Sequence, residues 1–223
     1  MCVAPMYSEW KRSWPELIVQ TCTGEAVDLL QAYFAIDGNQ PRFTGSCFES
    51  MAALNQDPNM LGPADFLAVT MLSVDVPAEA AIRLLGRDSA LVGELLHEIP
   101  SDVDIVDVDP QMLCGESPGG RLWDVLRKER DGLGPTRASK LLAAKRPRLL
   151  PIWDTFVEEA TGMGTLGCWV KFQYVLKDDD RRVWMWLREL RSLATNVPAS
   201  VSDLRILDVL LWMSVHSQRR QGS

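Results

Sequence analysis

GLGPTRASKLLAAKRPRLLPIWD, residues 132–154, is the stretch whose reading decides the fold. Gly132-Leu133-Gly134 is a tight turn, because two glycines permit positive φ and close backbone approach. Pro135 suits the first position of a helix, where its missing N–H would have no partner anyway. The helix it opens carries Ala138, Leu141 and Leu142 on one face and Arg137 and Lys140 on another, and it ends before Pro147. Pro151 then leads to Asp154. Upstream, Leu122, Val125 and Leu126 at i, i+3 and i+4 predict an amphipathic helix over 120–130. The order is therefore helix, hairpin, helix and a short ascent to one carboxylate.

Backbone N–H groups around a Gly-x-Gly turn and at a helix N-terminus can cradle an anion such as phosphate. Between Gly132 and Trp153 lie five cations (Arg137, Lys140, Lys145, Arg146, Arg148) and no acid. The whole chain stands at −7, so with those five positive charges set aside the remainder carries −12. A positive island on a negative protein points to phosphate backbone, reached by Arg137 and Lys140. Lys145, Arg146 and Arg148 read as a solvated face that complements the helix C-terminus. The acidic balance weighs against broad duplex binding, since counterion release from a positive face supplies much of that affinity.

Gly-hydrophobic-Gly, an alanine-containing helix, a proline-flanked apolar step and Asp154-Thr155-Phe156-Val157 together resemble the helix-hairpin-helix (HhH-GPD) DNA glycosylase superfamily. The resemblance covers roughly a third of the chain. It implies an all-α, two-lobed fold with the hairpin beside the cleft between the lobes. Residues 61–150 would form one helical lobe, and 1–60 would pack with 151–223 to form the other. Gly132, Leu133 and Gly134 match the family's hairpin, with Thr136, Arg137 and Lys140 beside it as nucleic-acid contacts. Asp154 matches the aspartate essential for base excision. Thr136, 18 residues before it, stands where bifunctional members place a lysine that attacks the sugar, so the implied activity is monofunctional. Trp153 lengthens the family's Pro-Val-Asp step by one residue and is the candidate for stacking on an extruded base. The cluster loop with four cysteines that endonuclease III carries is missing, and no iron–sulfur cluster or other cofactor is expected. The longer pattern, including SDLRILDVLLWM at 202–213, also resembles a set of actinobacterial proteins, which supplies no function.

The same residues have plainer readings. Gly-Leu-Gly also makes ordinary helix–helix turns, and Asp154 before Thr-Phe-Val-Glu is a fair helix N-cap. Each of Trp153, Phe156, Trp169 and Trp184 can equally be core. The function classes are thus a DNA N-glycosylase, a non-enzymatic helix-hairpin-helix module that binds nucleic acid or a protein, and a metabolic or signalling protein in which the fold is redeployed.

Further out, periodicity and capping predict helices at 24–36, 48–54, 63–73, 77–85, 89–99, 155–160, 166–176, from the Asp178–Asp180 run to about 194, and from a cap at Ser200 or Ser202 to 215, with almost no sheet. Ser101 to Asp109 alternates acid and aliphatic but has no partner strand, so it reads as a turn-like linker. Residues 1–20 show no periodicity and read as a segment draped over the body. At 223 residues and 47% apolar content the chain can bury a substantial core. No apolar run is long enough to span a membrane, and the start lacks a signal-peptide layout. Five scattered cysteines without a C-x-x-C pair fit reduced thiols in a cytoplasmic protein, and His97 and His216 have no third ligand nearby for a metal.

Overall fold

The computed structural model describes residues 7–221. Eleven α-helices run through them: α1 (Glu16–Val19), α2 (Thr23–Tyr33), α3 (Phe48–Ala52), α4 (Pro63–Met71), α5 (Ala78–Leu85), α6 (Ser89–Glu98), α7 (Pro118–Arg127), α8 (Pro135–Lys145), α9 (Thr155–Thr161), α10 (Cys168–Leu193) and α11 (Asp203–Gln221). The sheet is one two-residue hairpin, with Ile36 opposite Pro41 and Asp37 opposite Gln40. The protein is all-α. Among the described residues no helix is long and apolar enough to cross a membrane.

Helix starts follow local chemistry. Ser117 and Ser202 accept the N–H groups of Gly120 and Arg205, and Asp65 reaches back to the N–H of Gly62 at 2.8 Å. Pro63, Pro118 and Pro135 occupy first helical positions. Asp88 stands before α6 but does not cap it with its side chain, because its carboxylate is taken by Arg83 and Lys128. α10 is two helices joined across a break, where Asp179, Asp180 and Arg181 all have φ between 51° and 62°.

Two groups of helices pack against each other. α3, α4 and α8 form one contiguous set, extended by α5, α6 and α7, while α2, α9 and α10 surround α11. α11 is the axis of the second set, with Leu204, Ile206, Leu207, Val209, Leu210 and Leu211 all buried. Helix α3 packs on α4 and α8, and through Glu49 it also meets Arg205 of α11 at 3.1 Å.

Three expectations are corrected. Of the segment 1–20, residues 1–6 lie outside the described residues, and the rest is not draped over the body, because Trp10, Trp14, Leu17 and Ile18 are buried in the main core. Lys145 and Arg146 are not a solvated face. Lys145 Nζ donates to Asp57 O at 2.7 Å and pairs with Asp65, and Arg146, 1% exposed, donates to the carbonyls of Leu96, Ile99, Pro58 and Lys145. The thiols are not all reduced, since Cys114 is disulfide-bonded while Cys22, Cys47 and Cys168 are free. The acid–aliphatic stretch is turn-like. Its alternation arises because Ile105 and Val106 enter the core while Asp104 and Asp107 pair outward with Arg148 and Arg181.

Candidate functional site

The ascent after α8 is fixed by Ser139, whose hydroxyl donates to Trp153 O at 2.7 Å and accepts from Trp153 N at 3.0 Å. That clamp sets where Asp154 begins α9. Its Oδ1 accepts from the N–H groups of Phe156 (3.0 Å) and Val157 (3.1 Å), a helix N-cap, and its Oδ2 lies 3.2 Å from Lys140 Nζ. The carboxylate keeps 12% of its surface exposed, and it lines a cavity of about 370 Å³. That volume falls within the range of about 300–1,000 Å³ typical of ligand pockets.

Aromatic rings form much of the cavity wall. Tyr33 stacks on Phe43 at 5.3 Å, and Trp212 meets Phe43 edge-on at 5.4 Å and Phe156 at 5.6 Å. Behind Trp212 stacks His216, whose pKa burial pulls down. Charged groups complete the wall. Arg205 bridges Glu49 (3.1 Å), Asp208, the Tyr33 hydroxyl (2.9 Å) and Gly45 O (2.9 Å). Burial raises the pKa of Glu49, Asp208 and Tyr33 above their ordinary values, against the opposing pull of Arg205. Gly45 has to be glycine, because a Cβ there would collide with the Tyr33 hydroxyl and press on Arg205.

Of the residues singled out in the sequence, Thr136, Lys140 and Asp154 are brought together on this cavity. Lys140 is not on an exposed face, and this corrects its reading as a phosphate contact. It is 5% exposed, and its ammonium is held by Asp154 and by Leu72 O at 3.1 Å. Trp153 is corrected too. It is 3% exposed and faces Phe172 in the core at 6.4 Å, so it cannot stack on a base beside Asp154. Adjacent residues at a helix start point different ways, and its neighbour Phe156 lines the cavity instead.

The bend lies outside the cavity lining. Gly132 is exposed with φ +82° and Leu133 is buried. The Leu133 N–H donates to Asp131 Oδ1 (3.3 Å) and the Gly134 N–H to Gly132 O (3.0 Å), so two amides of the expected phosphate cradle are already engaged. Arg137 bonds Asp75 O, Asp75 Oδ1 and Gly132 O and remains partly exposed. What the bend still offers an anion is the start of α8, at the amides of Thr136 and Arg137.

Glu49, Tyr33, Arg205, Asp208 and Trp212 were not found from sequence. The available signal was Arg205, Asp208 and Trp212 at i, i+3 and i+7 in an otherwise apolar helix, a polar stripe that must face something specific. A larger cavity of about 600 Å³, between α7 and the start of α10, is mainly apolar, with Asp124 and Arg127 as its ionisable lining besides cysteine. It lacks the converging charges of the Asp154 cavity. Among the described residues no group of three or more His, Cys, Asp or Glu is placed to hold a metal.

No curated protein and no solved structure matches the chain. A family model covers residues 26–215, which include the whole cavity and the bend. By that match the chain belongs to DUF6308, a family of unknown function.

Proposed function

We propose that this protein binds DNA and acts as a monofunctional DNA N-glycosylase, with its helices arranged as the two lobes of a helix-hairpin-helix glycosylase and Asp154 as the catalytic carboxylate. One observation carries the reading: the Asp154 carboxylate is rigidly aimed into a cavity with aromatic walls, one short ascent from a glycine bend. Cleaving an N-glycosidic bond builds positive charge on the sugar, and a fixed carboxylate stabilises that charge and orients the attacking water. An extruded base needs flat apolar faces, which Phe43, Phe156 and Trp212 supply. Partly exposed Arg137 and the amides opening α8 would hold the backbone phosphate.

The burial of Lys140, Lys145 and Arg146 favours a second reading, a helix-hairpin-helix module without catalysis in which these cations serve the fold. One assay separates the two. DNA strands carrying a panel of damaged and modified bases are incubated with protein and treated with alkali, which cleaves only at abasic sites. The glycosylase reading expects cleavage that falls by about 100-fold or more in Asp154→Asn. Cleavage that survives this substitution removes the mechanism, and binding without cleavage on every base leaves the second reading.

A further inference from the structure

Asp154 is not alone on its cavity wall. Asp208, from the middle of α11, lines the same space and is 8% exposed. Its Oδ2 accepts from Arg205 Nη1, one turn back on the same helix. The groups facing it come from every neighbouring element: Tyr33 of α2, Glu49 of α3, Lys140 of α8 and Asp154 at the cap of α9. This set has three carboxylates (Asp154, Asp208, Glu49) and two cations (Lys140, Arg205). Little of it reaches water, so one negative charge is uncompensated where a bare charge is expensive. Retaining one proton removes the imbalance, and the proton then belongs to the coupled cluster.

Geometry decides where that proton can be used. Asp154 accepts two backbone N–H groups and an ammonium, contacts that suit an anion. Glu49 shares Arg205, leaves Oε2 without a partner, and does not line the Asp154 cavity. Asp208 does. We propose that Asp208 is the proton donor of the Asp154 site, delivering a proton to the departing base while Asp154 faces the sugar. Two carboxylates placed in contrasting environments on one cavity are how acid and base roles are divided. Burial raises the pKa of Asp208, and the charge of Asp154 adds to the rise while Arg205 and Lys140 oppose it.

The inference rests on the excision reading, and the step balances. The bond between the sugar C1′ and the base nitrogen breaks, and its electron pair goes to the base. The Asp208 proton moves onto the base, so a neutral molecule leaves. The positive charge left on the sugar faces Asp154. Water then adds to C1′ and gives its proton to the Asp208 carboxylate, which restores the starting state. Hydrolysis is complete with water as the only co-reactant.

Two measurements on the full chain test this. The first is a carbon-NMR titration of labelled aspartate carboxyls, assigned with Asp208→Asn and Asp154→Asn. Asp208 should remain protonated well above the ordinary aspartate value of about 3.9. Titration at or below that value overturns the donor role and leaves the excision reading intact. The second is single-turnover excision across pH, comparing a neutral deaminated adenine with a ring-methylated guanine whose fixed positive charge lets it leave without a proton. Asp208→Asn should lose about 100-fold on the neutral base, with a loss at least about tenfold smaller on the charged one. The wild-type rate on the neutral base should fall as Asp208 deprotonates, the variant should lack that limb, and Asp208→Glu should restore it. Equal losses on both bases mean a structural role and overturn the proposal, as does a wild type that excises the charged base alone. A wild type that cleaves at no base of the wider panel while Asp208 still holds its proton overturns the excision reading, and the donor role with it.

Discussion

Two oxygens of one side chain divide the labour at Asp154. Oδ1 closes the first turn of α9 through two amides, and Oδ2 faces the Lys140 ammonium, which is almost wholly out of water. Asparagine keeps an oxygen for the cap but loses the charge, whereas alanine loses both. Asp154→Ala should therefore be less stable than Asp154→Asn by about 1 kcal/mol, the usual worth of a side-chain cap. Urea unfolding of the two variants checks this, and equal midpoints would mean the cap carries no weight. Removing Lys140 instead strands a carboxylate that is seven-eighths covered, so Lys140→Met should cost about 3 kcal/mol. The cap and its place before α9 were legible in Asp-Thr-Phe-Val. Lys140 was not, because its helical position assigns it to a polar face, and only tertiary packing shows that this face is covered by α4. Trp153 misled for a related reason: adjacency in sequence to a functional residue says nothing about which side of the chain a ring occupies.

The bend between α7 and α8 owes its shape to one buried arginine on α5. Arg83 donates to Asp131 (2.7 Å) and Asp88 (2.9 Å) and caps the end of α7 through Val125 O (3.2 Å) and Leu126 O (2.9 Å). Asp131 in turn accepts the Leu133 amide. Arg83→Met would leave two largely buried carboxylates short of their main partner, so a loss of about 3–5 kcal/mol is expected. Hydrogen exchange should speed up most at Leu133 and Gly134. If those amides exchange no faster than the rest of α8 in the variant, Arg83 does not brace the bend. At this scale the helices themselves were readable, since prolines at first helical positions and serine caps mark their starts in the sequence. Helix α1 and the buried tryptophans before it were not, because four residues are too few to show a period. The charge of α8 misled in another way. Lys145 and Arg146 look like a basic tail in sequence, yet they hold backbone carbonyls from the segment between α3 and α4 and from the end of α6, and an aspartate of α4, partners 40 or more positions away.

Across the whole molecule, charge kept inside alters both pH response and partner choice. Burial raises the pKa of Glu49 and Asp208, so above the ordinary carboxylate value the folded chain still holds protons that the unfolded chain has released. This contribution to stability is therefore greatest in acid and is lost as pH rises toward the raised values. Glu49→Gln takes no part in that titration and leaves Arg205 to Asp208, so its stability should decline less than that of the wild type between about pH 4 and pH 8. Parallel declines in the two proteins would show that Glu49 contributes nothing to that titration. The same inward placement limits the grip on DNA. Five cations between Gly132 and Trp153 would, if all met phosphates, give a log–log salt slope of about −4.5. Lys140, Lys145 and Arg146 are buried, and Arg148 is paired with Asp104 at 2.7 Å. That leaves Arg137, more loosely paired with the exposed Asp75 at 3.4 Å, and the first amides of α8 to meet phosphate, on a chain whose net charge is −7. Fluorescence anisotropy against salt should therefore give a slope of about −2 or shallower for duplex DNA. A slope near −4.5 would mean that cations elsewhere on the surface carry the contact and that the bend is not the footprint. A slope near −1 abolished by Arg137→Gln would locate the phosphate contact at the start of α8, within one helical turn of the Lys140 that meets Asp154.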